Sequence, residues 1–291
     1  MAKRLLIIFF LLPAVAQAQT FDWWKNLVNW DGKTDWWSYQ TTNAKYYGPN
    51  AFTIPAINNG DIDSSTSLGL TGSMHFSKGD NTQNFTIYGN YASKDHNIAV
   101  DAYFIPYEHF KLSHAIKEER RVYYKGYNMT HTVGDVIVNT TIRMFNKWRP
   151  RFQTAVRVGV RMPSGGAQEA ARYADVPFYW IDFGGSLPFR NSNWKWVTNA
   201  GFLVWQTNDA HLRQDDAFLF GMGLEYNHNG FRFQGYTGGY LGYMENGDKP
   251  IVVRMNFEKK MSRCTYLFRL QQGVYDFNYF TVETGARYMF R

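Results

Sequence analysis

Apolar and polar residues alternate one for one through most of this chain, beginning after Thr66 and continuing to the end. Neighbours on a β-strand face opposite sides, so strict alternation predicts strands with one apolar and one polar face. The segments are roughly 66–78, 82–94, 97–113, 133–145, 151–163, 177–190, 194–208, 215–227, 231–243, 249–261, 263–275 and 279–291, about twelve in all, an even number as in bacterial single-chain membrane barrels. In 66–78, Leu68, Leu70, Met74 and Phe76 oppose Ser67, Thr71, Ser73 and His75. In 151–163, Phe152, Val156, Val158, Val160 and Met162 oppose Arg151, Gln153, Arg157 and Arg161. A polar face this charged does not suit the dry interior of a β-sandwich, where each buried ion costs several kcal/mol. The predicted fold is all-β: a transmembrane antiparallel up-and-down β-barrel of about twelve strands, lipid outside and water within.

The connections agree with that reading. Short turns are expected near Asp95-His96, 146–150, 191–193, 228–230 and Ser262, and long ones at 114–132 and 164–176, the alternation of periplasmic turns and outer loops. Ahead of the barrel the pattern changes twice. Residues 1–18 read as a cleavable export signal: Lys3 and Arg4, the apolar run Leu5 to Leu12, then Ala16-Gln17-Ala18. Residues 19–65 form a Trp-rich arm and loop. Trp23, Trp24, Trp30, Trp36 and Trp37 suit either a short helix at the membrane surface or an arm packed at the barrel mouth. Pro55, Asn58, Asn59, Gly60 and Asp61 read as turn chemistry, and serve either as a plug folded into the lumen or as a periplasmic leader.

Composition narrows the class. Aromatics make up 18% of the chain, and Gly is abundant, yet mean hydropathy is −0.42, as expected when apolar residues fill only one face. No stretch approaches the ~20 apolar residues a spanning helix needs. The net charge of +7 points, for an exported chain, to anionic lipopolysaccharide or an anionic solute rather than to nucleic acid. Cys264 alternates with Tyr266, Phe268 and Leu270 and is read as a wall residue facing lipid. No cofactor or metal spacing is present.

Candidate chemistry lies on the inward parity. The cations there are Lys111, Arg143, Arg157, Arg161, Lys195, Arg232, Arg254, Arg269 and Arg287. The anions are Asp101, Asp135, Asp182, Glu225, Glu258 and Glu283. They form either a constriction favouring anions or a set of Arg–carboxylate pairs bracing a narrow lumen. For an outer-membrane enzyme of the lipase or lipid A deacylase type, Ser113-His114 is the one adjacent pair, and it could act together only in a loop.

Gly134-Asp135-Val136-Ile137-Val138, the alternating Arg and Gly of 151–161, and Arg161-Met162-Pro163-Ser164-Gly165 together resemble a family pattern. The outer-membrane proteins concerned are grouped as phenol-degradation meta-pathway transporters, themselves similar to long-chain fatty-acid transporters. The likeness runs from about Asn84 to Phe189. It implies a barrel that admits small, often hydrophobic molecules, and supplies no catalytic residues. The expected function is an outer-membrane channel or transporter for small hydrophobic or anionic molecules, folded by the barrel-assembly machinery. The alternatives are the barrel enzyme and a structural subunit of an envelope secretion complex.

Overall fold

The computed structural model describes residues 21–144, 152–209 and 211–290; the export signal, Arg151, the turn at 146–150 and Arg291 lie outside them. Thirteen strands join in one antiparallel sheet. One of them, β4 (His131–Thr132), is a two-residue pairing on the outer end of β3. The other twelve are β1 (Ser67–Ser77), β2 (Asp80–Ala92), β3 (Ile98–Leu112), β5 (Val136–Met144), β6 (Gln153–Met162), β7 (Phe178–Pro188), β8 (Trp194–Gln206), β9 (Gln214–His228), β10 (Phe231–Leu241), β11 (Ile251–Met261), β12 (Cys264–Tyr275) and β13 (Phe280–Met289). Each pairs with its sequence neighbours, and β13 returns to pair with β1 from Ser67↔Met289 to Phe76↔Phe280, which closes the barrel. Closure leaves no unpaired edge, the condition for crossing lipid with strands.

Alternation decides what each face meets. Leu68, Leu70, Met74, Phe85, Ile181, Phe202, Met222, Met255 and Phe268 are all exposed outward, a continuous apolar belt far beyond what a soluble surface tolerates. Cys264 shares this outward parity with Tyr266 and Phe268. Short connections at 93–97, 189–193, 229–230 and 262–263 mark one rim. Asn229-Gly230, with φ of 48° and 72°, is the turn that best matches strand twist in a two-residue hairpin. The opposite rim carries 113–135, 163–177 and 242–250, and is the outer one by the loop-length rule.

One predicted face is corrected. On β3, Ile105 and Pro106 stand opposite the single residue Thr86, because Phe104 pairs with Ile87 but Tyr107 pairs with Phe85. This bulge inverts parity above it. Lys111 therefore points outward, exposed, instead of into the lumen, while Glu108 and Phe110 are buried inside.

Candidate functional site

The lumen is threaded by the chain's own N-terminal segment. Residues 21–28 are helical and lie on the outer rim, where Trp24 is buried, its Nε1 donating to Arg121 O at 3.1 Å. Trp36 stacks on Tyr123 with ring centroids 5.5 Å apart. The Trp-rich arm is thus packed at the barrel mouth on the 113–135 connection. From there the chain descends through the barrel to β1.

The upper part of the descent is dry. Tyr47, Ala51, Phe52 and Ile54 pack against Phe178, Trp180, Leu203, Trp205, Leu219 and Tyr240, the lumenal residues of β7 to β10. Phe52 meets Phe178 edge-on at 5.1 Å. The lower part is held mainly by polar contacts, with Ile57 packed on Val197 and Tyr236. Asn58 donates to Ala155 O at 3.2 Å, and Asn59 donates to Glu225 at 2.9 Å. Gly60 has φ +76°, and a Cβ there would stand 2.5 Å from Gln153 O, so glycine permits the close approach to β6. Asp61 and Asp63 follow, Asp63 bound to Arg287. Pro55, Asn58, Asn59 and Gly60 are buried inside the barrel, while Asp61 is exposed.

At the boundary between the dry and polar stretches sits Arg254. It has no carboxylate partner among the described residues; Nη2 donates to Ile54 O at 2.9 Å, Nη1 to Pro55 O and to Tyr236 OH at 3.3 Å each, and Nε to Gln271. A cation satisfied by two carbonyls of the threaded chain is a clamp on that chain.

The other candidate charges are mostly paired across strands. Arg157 grips Asp182 with two bonds of 2.9 and 2.8 Å, and Asn199 donates to the same carboxylate at 2.7 Å. Arg161 binds Asp135, whose other oxygen accepts from the backbone N–H of Ser164 at 2.8 Å and Gly165 at 2.6 Å. The residues of the sequence motif therefore form one knot that fixes the start of the 163–177 connection. Arg269 pairs with Glu283 at 3.2 Å, and Glu258 lies between Arg232 at 3.4 Å and Arg287 at 3.9 Å. Lys195 and Arg232 share Glu225 at 2.9 and 3.0 Å. Arg143 faces inward, half-buried near the inner rim, and forms no ion pair among the described residues.

Sequence reasoning missed a second network, just under the outer rim. Arg172, fully buried, bonds Asp80 and Glu108 at 2.8 Å each; Arg120 reaches Asp80 at 2.6 Å, as does Tyr279 OH. Burial disfavours the charge on Arg172, but Asp80 and Glu108 outweigh it and hold its pKa above the usual guanidinium value. Asn50 of the threaded segment donates to Glu108 at 2.7 Å, tying the plug to this network. The Ser113-His114 pair shows no catalytic geometry. Ser113 Oγ accepts from Ile116 N as the cap of the short helix His114–Glu119, and the His114 ring nitrogens meet Tyr127 OH at 3.2 Å and Glu118 at 3.3 Å.

Between the threaded segment and the walls of β1–β3, β5–β7 and β11–β13 remains a cavity of about 320 Å³, at the small end of ligand-binding pockets. Thr71, His75, Tyr88, Tyr103 and Leu267 form its wall side, and Asn50, Thr53 and Ala56 its plug side.

No family profile and no curated protein matches the chain in sequence. Solved structures do match in shape. The COG4313 outer membrane channel from Pseudomonas putida F1 superposes with a TM-score of 0.57 at 8% identity, covering 81% of this chain and 98% of that one. KdgM porin gives a TM-score of 0.48 at 7% identity, covering 77% and 99%. The CymD monoaromatic hydrocarbon channel gives 0.41 at 7% identity, covering 78% and 89%. Closed twelve-strand wall, lipid-facing belt and the fold-level likeness to the COG4313 channel define the class: the chain is built as an outer-membrane β-barrel.

Proposed function

We propose that the protein is an outer-membrane channel for small molecules, exported through its N-terminal signal, in which residues 43–65 are the gate. The observation that carries this is the lumen itself: a segment of the chain fills it, yet leaves a cavity bounded by segment and wall together. A sealed scaffold would have no use for such a space.

Pairing of the lumenal ions favours a hydrophobic or uncharged solute over an anion. Arg157, Arg161, Arg269 and Arg287 each have a carboxylate at hand, which cancels most of the field that would attract anions. This agrees with what the resemblance to the phenol-degradation transporters implies. The test is solute flux into liposomes carrying the purified protein. Small uncharged solutes should enter faster than anions of equal size, and flux should rise when the gate is released. Flux that is absent in both gated and released forms would refute a channel.

A further inference from the structure

Two carboxylates beneath the outer rim face each other without a counter-charge. Asp215 opens β9 on its lumenal face, Asp248 belongs to the 242–250 connection, and they are 1% and 0% exposed. They meet over Gly242, where a Cβ would stand 2.4 Å from Asp248 Oδ2 and 2.9 Å from Asp215 Oδ2. Only glycine leaves room for both. Each accepts a backbone N–H, Asp215 Oδ1 from Tyr243 at 3.4 Å and Asp248 Oδ2 from Met244 at 2.7 Å. The remaining oxygens, Asp215 Oδ2 and Asp248 Oδ1, have no hydrogen-bond donor among the described residues. Nearby lysines are engaged elsewhere, Lys45 with Asp276 at 4.0 Å and Lys249 with Glu245 at 3.4 Å.

Independent groups point to an occupant. Asn43 Oδ1, from the threaded segment, is buried and unpartnered, 3.0 Å from where a Cβ on Gly247 would be, next to Asp248. The Trp205 indole N–H, opposite Asp215 on β8, is unpartnered too; being a donor, it suits a carboxylate oxygen or an ion-bound water.

Two buried carboxylates in contact cannot both ionise unless something positive joins them, either a shared proton or a cation. The unused groups decide between these. One shared proton would satisfy one oxygen of each acid and leave the Asn43 oxygen idle. A hard cation takes six to eight oxygens and would draw on all of them. We propose that Asp215 and Asp248 bind a divalent cation of the calcium class, with Asn43 supplying a neutral oxygen and water the remaining ones, and that the ion fastens the 242–250 connection and the upper threaded segment to the wall.

The test is the thermal transition of the full chain in detergent at pH 7, stripped with chelator and titrated with calcium chloride. The wild type should gain several degrees with a midpoint of roughly 0.1–1 mM, the range of few-carboxylate extracellular sites. Asp215→Asn and Asp248→Asn should each lose that response. A wild-type transition indifferent to calcium overturns the proposal. So does an Asp215→Asn protein that, without calcium, matches the calcium-saturated wild type, since its amide carries the proton that a shared-proton pair needs. Should either variant fail to fold, radioactive calcium binding to the wild type still decides: about one ion per chain supports the site, and none refutes it.

Discussion

Replacing Arg254 with Gln removes the clamp and should open the gate. Its guanidinium donates to both Ile54 O and Pro55 O, and a hydrogen bond from a charged donor contributes about 1.5–3 kcal/mol net. Water entering the adjoining cavity would satisfy the freed carbonyls in part, so the loss to the closed state is taken as one such bond, about 2 kcal/mol. That is roughly a thirty-fold rise in the ratio of open to closed. A channel open about 1% of the time would then be open about a quarter of the time. Single-channel recording in planar bilayers reads this directly, with Arg254→Lys expected between the two because one ammonium cannot fork across two carbonyls. Unboiled protein migrating fast on a denaturing gel confirms that each variant is folded. Unchanged open probability in a folded Arg254→Gln barrel would refute the clamp.

Arg161→Leu should destabilise the barrel by about 3–5 kcal/mol, because it strands the buried Asp135 carboxylate; pairing it with Asp135→Asn should recover a large part, as seen in urea unfolding. The Asp31 carboxyl is held down to about 2 by the Thr34 hydroxyl, then by the backbone N–H groups of Thr34 and Lys33. A depressed carboxylate contributes its stability above the ordinary value of 3.8 and loses it as pH falls through about 2. Trp30 Nε1 donates to Thr34 O at 2.8 Å, so a fluorescence change should appear below about pH 3 and move to higher pH in Thr34→Val, which loses the hydroxyl but keeps the backbone donors.

Most of the wall was legible because alternation has a single cause: one face meets lipid and the other does not. Strand ends read from the pattern fall within a few residues of those observed, as with 66–78 against Ser67–Ser77 and 231–243 against Phe231–Leu241. Parity failed where the strand is irregular. Pro106, which has no N–H to give the ladder, was the available signal for the β3 bulge, and reading it would have turned Lys111 outward and Glu108 inward. The Asp80, Arg120 and Arg172 network was out of reach because two of its members come from connections, whose positions no period encodes. The dry upper lumen had a signal of its own. Phe178-Tyr179-Trp180-Ile181 and Phe202-Leu203-Val204-Trp205 are apolar on both faces, which in a membrane barrel means that something apolar covers the inside. Among the described residues the upper threaded segment does so, through Tyr47, Ala51, Phe52 and Ile54.

That division of the lumen also tells which part of the gate moves. Withdrawing Tyr47, Phe52 and Ile54 from the aromatic wall would expose three large side chains at about 1.5–3 kcal/mol each, besides uncovering Phe178, Trp180 and Trp205. The lower half buries only two aliphatic side chains, Ile57 and Ile62, and is otherwise held by Asn58, Asn59 and the Asp63 bond to Arg287, contacts that water can replace at roughly 0.5–1.5 kcal/mol for the neutral one and about 1.5–3 kcal/mol for Asn59 on the Glu225 carboxylate. Opening should therefore release the chain from Pro55 onward, breaking the Arg254 bond to Pro55 O, while the upper half stays docked and keeps the bond to Ile54 O. Single cysteines on a Cys264→Ser background test this. At position 59 a water-soluble maleimide should react slowly in the otherwise unmodified protein and at least ten-fold faster with Arg254→Gln; at position 52 it should react slowly in both. Equal acceleration at 52 and 59 would mean that the segment leaves as one piece, and the division at Ile54-Pro55 would be wrong.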